Sequence, residues 1–189
     1  MSIVDRAKKI TLQPTQEWRV IDAEPTSVGG LYWSYIMPLA ALGPIASVVG
    51  WSVIGISLPV TGTYRSPISA AVKQAVLQYV LSLAGVFVLA LVIDALAPTF
   101  AGRRNRLQAL KVAAYSSTAA WLVGIVGLVP GLSILALLGL YSLYPLYVGL
   151  PVLMKVPRER AFDYTVVVVI CAVVLFFLVG TRWTHMPGR

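Results

Sequence analysis

Apolar residues gather along this chain in five runs, about Tyr32–Leu58, Gln74–Ala97, Val112–Val129, Gly131–Leu150 and Thr165–Thr181, separated by short polar connections. A helix needs about 20 apolar residues to cross the hydrocarbon core of a bilayer, and each run comes close to that. Between the third and fourth runs stands only Pro130-Gly131, so Val112–Met154 forms 43 residues without a charged side chain. As a single helix that stretch would be roughly 65 Å long, about twice the hydrocarbon core. A Pro-Gly pair reverses a chain. The pattern therefore predicts an all-α integral membrane protein with five transmembrane helices, the third and fourth forming a tight hairpin. Pro38, Gly43, Pro44, Gly50 and Gly55 predict a kinked or broken first helix.

Residues 1–31 are polar and read as a separate cytoplasmic or interfacial amphipathic segment, followed by a membrane domain over 32–183 and an outer tail over 184–189. Ser2-Ile3-Val4-Asp5 resembles a capping box, after which Ile3, Ala7 and Ile10 recur at helical spacing. Pro14 interrupts, Thr15 is placed to cap, and Trp18 and Ile21 share one side of a second short helix. These two helices are expected to anchor at the membrane surface, with Trp18 at headgroup depth. A docking surface for a protein partner is the alternative. Acids and bases are mixed in this segment, so it is not expected to be a cleavable leader.

Composition agrees with lipid as the solvent: 58% of the residues are hydrophobic and 12% charged, against about 25% charged in soluble domains. Mean hydropathy is +0.83. The excess of 15 Lys and Arg over 7 Asp and Glu lies mainly in the connections, where it sets orientation and meets anionic headgroups. No nucleic-acid partner is expected. Arg6, Lys8, Lys9 and Arg19, then Arg103, Arg104, Arg106 and Lys111, then Lys155, Arg158 and Arg160 fall on one side of the predicted membrane, 11 cations in all. The other side has four, Arg65, Lys73, Arg182 and Arg189. The positive-inside rule then predicts a multi-pass protein of the inner (cytoplasmic) membrane, amino terminus in the cytoplasm and carboxyl terminus outside. Cys171 is the single cysteine, which excludes an intramolecular disulfide.

Asp94 is the one acid within an apolar run, and an ionisable group at membrane depth is a functional candidate by default. It lies near a helix C-terminus, where the macrodipole disfavours negative charge, so compensation is expected from a cation such as Lys111, Arg103 or Arg106, from the N-terminus of the third helix, or from protonation. The structural reading is an interfacial ion pair; the functional one is a substrate, ion or proton site. The predicted topology places Tyr115, Ser116, Ser117 and Thr118 of the third run at the same depth as Asp94. Tyr141, Tyr144 and Tyr147 of the fourth run and Tyr35 of the first lie there too. Asp94, Lys111, Tyr115, Thr118, Tyr144 and Tyr147 thus form the candidate polar site, a cytoplasm-facing vestibule. A tyrosine belt with locally bonded hydroxyls is the competing reading. Gln74 and Gln78 read as interhelical hydrogen-bonding groups, and Ala120, Gly124 and Gly127 as a small-residue contact face.

Signatures of catalysis are missing. His185 is the single histidine and lies in the tail, so no Ser/His pair forms at membrane depth. There is no zinc-binding set, no pair of intramembrane aspartates and no Gly-rich phosphate loop. Neither an enzyme nor a cofactor is expected.

Several short motifs follow one another in a specific order. Pro14-Thr15, Glu17-Trp18, Ile21 and Glu24 precede Tyr35-Ile36-Met37-Pro38-Leu39-Ala40, Gly62-Thr63-Tyr64-Arg65 and Asp94-Ala95-Leu96-Ala97-Pro98. Gln108–Ser116, Gly149–Lys155 and Tyr164–Val168 complete the series. Together they resemble a bacterial member of the Yip (Ypt-interacting protein) family over nearly the whole chain. The resemblance implies five membrane helices, a cytoplasmic amino terminus and self-association into homo-oligomers. It implies an oligomeric scaffold or adaptor for membrane organisation or trafficking-like processes, with a membrane-protein partner as candidate. A transporter or channel subunit for a small ion or solute is the alternative. Eukaryotic relatives are associated with Rab-type GTPases, a partner that does not transfer to a bacterium. The resemblance points to Trp18, Glu24, Arg65 and Lys155 as family-motif positions. It departs from the bacterial pattern at Ala119, where proline is usual, and Pro145, where an apolar residue is usual.

Overall fold

The computed structural model describes residues 2–58, 62–129 and 137–184, and side chains within them except those of 56–63, 127 and 176–184. The Pro130-Gly131 reversal, His185 and most of the expected tail lie outside the described residues. Helices α1 (Ile3–Leu12) and α2 (Pro14–Ala23) come first. They are followed by α3 (Val28–Ile54), α4 (Ile68–Phe100), α5 (Arg106–Val126), α6 (Leu137–Leu153) and α7 (Arg158–Thr184). Among the described residues α3, α4 and α5 are long and apolar enough to cross a membrane, and α6 is shorter. Helix α7 has 27 residues, about 40 Å of helix.

Local chemistry sets the boundaries. The Ser2 hydroxyl accepts from the Asp5 amide at 3.1 Å and donates to the Asp5 carboxylate at 2.7 Å, starting α1. The Asn105 side chain accepts from the Gln108 amide at 3.1 Å, starting α5. Helix α3 stays helical but changes winding: wider turns occupy Tyr32–Ile36 and Gly50–Ile54, the first just ahead of Pro38, which has no amide to donate. It stops at Gly55, whose φ of 79° suits a residue without a Cβ. The apolar run expected as helix to Leu58 therefore ends early. Ile56–Leu58 forms strand β1, paired antiparallel with β2 (Gly62–Tyr64), Ser57 opposite Thr63.

Helix α5 is the central element. It packs against α3, α4 and α6, and 61% of its apolar window is buried, against 33% for α3 and 22% for α4. Gly43 of α3 meets Gly124 of α5 so closely that a Cβ on Gly124 would stand 2.8 Å from the Gly43 Cα. Gly124 thus acts as the expected small-residue contact. Helices α5 and α6 run antiparallel: the Arg103 amide, ahead of α5, donates to the Met154 carbonyl at 2.8 Å, and the Ala120 amide donates to Ser142 Oγ at 3.0 Å.

The N-terminal helices depart from expectation. Arg6, Ala7, Ile10, Glu17, Trp18 and Ile21 are buried, with Trp18 and Ile10 fully so. Their inward apolar residues pack on α5 and α6, while Val4, Leu12 and Val20 stay exposed on the outer side. The indole of Trp18 lies against Gly149, where a Cβ would come within 2.6 Å of the ring. Its Nε1 donates to the Pro145 carbonyl at 3.0 Å, so the ring has no room to retreat.

Gly149→Val is expected to lower thermal stability in detergent by about 1–3 kcal/mol, since it forces a side chain into a fixed indole. Gly85→Ala, where a Cβ meets nothing within 4 Å, should leave the unfolding temperature unchanged or slightly raised. Equal losses at both positions would contradict the packing of Trp18.

Candidate functional site

The groove between α5 and α6 contains part of the expected polar site, and the chain's own first 24 residues fill it. Arg6 enters from α1 with its side chain 7% exposed. Its guanidinium donates to Glu17 Oε1 at 2.5 Å and, through the other terminal nitrogen, to Glu24 Oε2. It also lies 5.9 Å from the centroid of the Tyr115 ring, within the range of cation–π attraction. The spacing of the apolar stripes explains the geometry. Arg6 falls between Ile3 and Ile10 on the inward face of α1, and Glu17 beside Trp18 on the inward face of α2, so docking buries both charges together.

Lys111 reaches the same place from α5. Its ammonium donates to the carbonyls of Ile21, at 2.8 Å, and Glu24, at 2.7 Å. These are carbonyls at the end of α2, the negative pole of that helix and a favourable place for a cation. Lys155 leaves α6 in the left-handed backbone region, φ 56°, and its Nζ stands 2.5 Å from Asp22 Oδ2. Gln108 donates to Asp22 Oδ1 at 3.2 Å. Deeper in the groove Trp18 meets the Tyr115 ring edge-on at 6.2 Å, and Tyr35 packs on Tyr115 at 4.5 Å. The hydroxyls of Tyr35 and Thr118 are hydrogen-bonded at 2.7 Å. Tyr141 closes the far end by donating to the Thr11 carbonyl at 2.7 Å.

Lys111, Tyr115 and Thr118 therefore converge as the sequence suggests, and Trp18, Glu24 and Lys155 join them. Asp94 does not. It sits on α4 beside Tyr164 of α7, whose hydroxyl donates to the neighbouring Ile93 carbonyl. Among the described residues no cation lies within salt-bridge distance of Asp94, and its Oδ1 is buried without a hydrogen-bond partner. The expected pair with Lys111 fails because the carbonyls ending α2 already hold that ammonium. Tyr144 and Tyr147 are 47% and 41% exposed and face away from the groove, Tyr144 leaning on Tyr141. Arg65 is exposed just beyond β2. The vestibule is thus a filled groove plus a separate half-buried aspartate.

Arg6, Glu17 and Asp22 are the members that the sequence reading passes over. The signal was present: Arg6 and Glu17 each interrupt an apolar stripe, which opposite charges tolerate only by meeting. The arrangement offers no activated nucleophile or base, and among the described residues no three His, Cys, Asp or Glu side chains converge as metal ligands would. What it does is lock α1 and α2 in place.

Removing one partner of a buried ion pair costs about 3–5 kcal/mol, whereas a half-exposed partner contributes under about 1 kcal/mol. Arg6→Ala is therefore expected to speed hydrogen exchange across Ile3–Ala23 by two or more orders of magnitude while α4 stays protected. Glu24→Gln, at a carboxylate 46% exposed, should have a small effect. Equal exchange in wild type and Arg6→Ala would show that the network does not hold these helices.

The comparisons with known proteins fit this architecture. Neither a curated protein nor a solved structure matches the chain. A family model described as Yip1 domain matches residues 8–180, from α1 through most of α7. That match covers most of the chain, so the chain belongs to the Yip1-domain family and is a membrane protein.

Proposed function

We propose that this protein is a non-enzymatic, five-span membrane scaffold or adaptor that self-associates and organises other membrane components. Its amino terminus is cytoplasmic and its carboxyl terminus lies on the opposite side of an inner (cytoplasmic) membrane. The observation that carries this reading is that the polar groups of the groove are engaged by α1 and α2. Lys111 is 3% exposed, Tyr115 8% and Thr118 fully buried. A transport path lined by Asp94, Lys111, Tyr115 and Thr118 loses its lining, since three of those side chains are sealed and the fourth is elsewhere. What faces outward is contact surface. Val72, Val76, Val80, Phe87 and Leu91 of α4 are 43–57% exposed. At 100° per residue they fall within one sector roughly 100° wide, a single stripe for lipid or a second copy.

Self-association along that stripe is tested by cross-linking in proteoliposomes, in a Cys171→Ala background. A cysteine at Val80 should form a dimer through a short bifunctional thiol reagent, and one at the buried Ala90 should not. The Val80 yield should persist on dilution with lipid. Loss of the cross-link on dilution would refute self-association, and solute flux abolished by Asp94→Asn would restore the transport reading.

A further inference from the structure

Two arginine-bearing connections meet at the end of the bundle where α4 finishes and α7 begins. Three contacts fix them side by side. Phe100 stacks on Tyr164 with centroids 4.8 Å apart. Gly102 lies so close to the facing connection that a Cβ there would stand 2.6 Å from Val156 Cγ2, and the Arg103 amide donates to the Met154 carbonyl. Arg158 and Arg160 fall between Val156 and Tyr164, the stretch that faces Phe100–Gly102, and Arg103 and Arg104 follow Gly102 directly. All four arginines are exposed, and among the described residues none is within salt-bridge distance of a carboxylate. Arginine is the cation whose planar fork grips phosphate oxygens in pairs.

A second observation, independent of the charge, shows what the phosphate would be attached to. From Arg158 the outward face of α7 continues in steps of four through Phe162, Val166, Ile170 and Val174, which are 65%, 38%, 55% and 50% exposed. Arg158 thus stands at the head of an apolar stripe beginning with an exposed aromatic ring, while Arg160, about 200° round the helix, heads the buried row of Tyr164 and Val168. Glu159 and Asp163 sit one position further on, turned about 100° round the helix from that line. A soluble phosphate would use the arginines and leave the stripe idle. An anionic glycerophospholipid would use both, its phosphate on the arginines and an acyl chain along α7.

We propose that Arg103, Arg104, Arg158 and Phe162 form a binding site for one anionic phospholipid. The site requires only that α7 be embedded in a bilayer and does not depend on the scaffold reading or on self-association.

The test is native mass spectrometry of the full chain released from bilayers holding equal phosphatidylglycerol and phosphatidylcholine. Each arginine at a membrane surface contributes about fivefold in binding to anionic lipid, so the wild type should retain phosphatidylglycerol in about tenfold or greater excess. Arg103→Gln with Arg158→Gln should cut that excess by about tenfold or more. Lys8→Gln with Lys9→Gln, which removes the same charge from α1, should leave the preference intact. Phe162→Ser should lower retention of phosphatidylglycerol, and millimolar glycerol phosphate should not displace it. Thermal unfolding checks that the variants fold, all substituted side chains being exposed. Parity in the wild type, an equal loss in the Lys8/Lys9 variant, or displacement by glycerol phosphate would each overturn the proposal. The last would indicate a soluble-phosphate site.

Discussion

A guanidinium buried between two helices cannot be left alone. The cost of stripping water from Arg6 is offset only where Glu17, Glu24 and the Tyr115 ring surround it, and that requirement fixes how α1, α2 and α5 sit together. Apolar burial by Trp18, Ile10 and Ile21 supplies most of the attraction in the groove, but it is non-directional. The ion pair, the Lys111 contacts to the end of α2 and the Trp18 bond to Pro145 select one register among the many that apolar contact alone would allow. Gly149 and Gly43 then matter because each permits an approach that any side chain would block.

Hydropathy along the sequence made the helices legible and part of their environment misleading. The charge-free run beginning at Val112 reads as a membrane span with a polar vestibule at its inner end. Ala109 through Ser116 are all buried, and α1 and α2 cover that end. Absence of charge reports absence of water, and protein interior excludes water as well as a bilayer does. The outer face of those covering helices exposes Lys8, Lys9 and Arg19 together with Val4, Leu12 and Val20. The β1–β2 hairpin was illegible for a different reason: Ile56, Ser57 and Leu58 extend an apolar run, and only the φ of Gly55 ends the helix before them.

The site was legible where a signal was local to one helix and hidden where it required pairing across helices. Tyr115 and Thr118, three residues apart, project into one groove as their spacing suggests. Lys111 was one of several groups expected to compensate Asp94, being ionisable and at similar depth. Depth says nothing of azimuth, and α4 turns Asp94 toward Tyr164 while α5 turns Lys111 toward α2. Arg6 and Glu17 were passed over because a charge in a polar N-terminal segment looks solvated unless its stripe is traced.

The contact between Trp18 and Pro145 spans 127 positions of sequence. Translation proceeds at about 5–20 residues per second, so the partner of Trp18 is made roughly ten seconds after Trp18 itself. During that interval Arg6 can already meet Glu17 and Glu24, but the indole of Trp18 lacks the wall that α6 gives it. A residue made early thus reaches its final seat only once α6 has arrived.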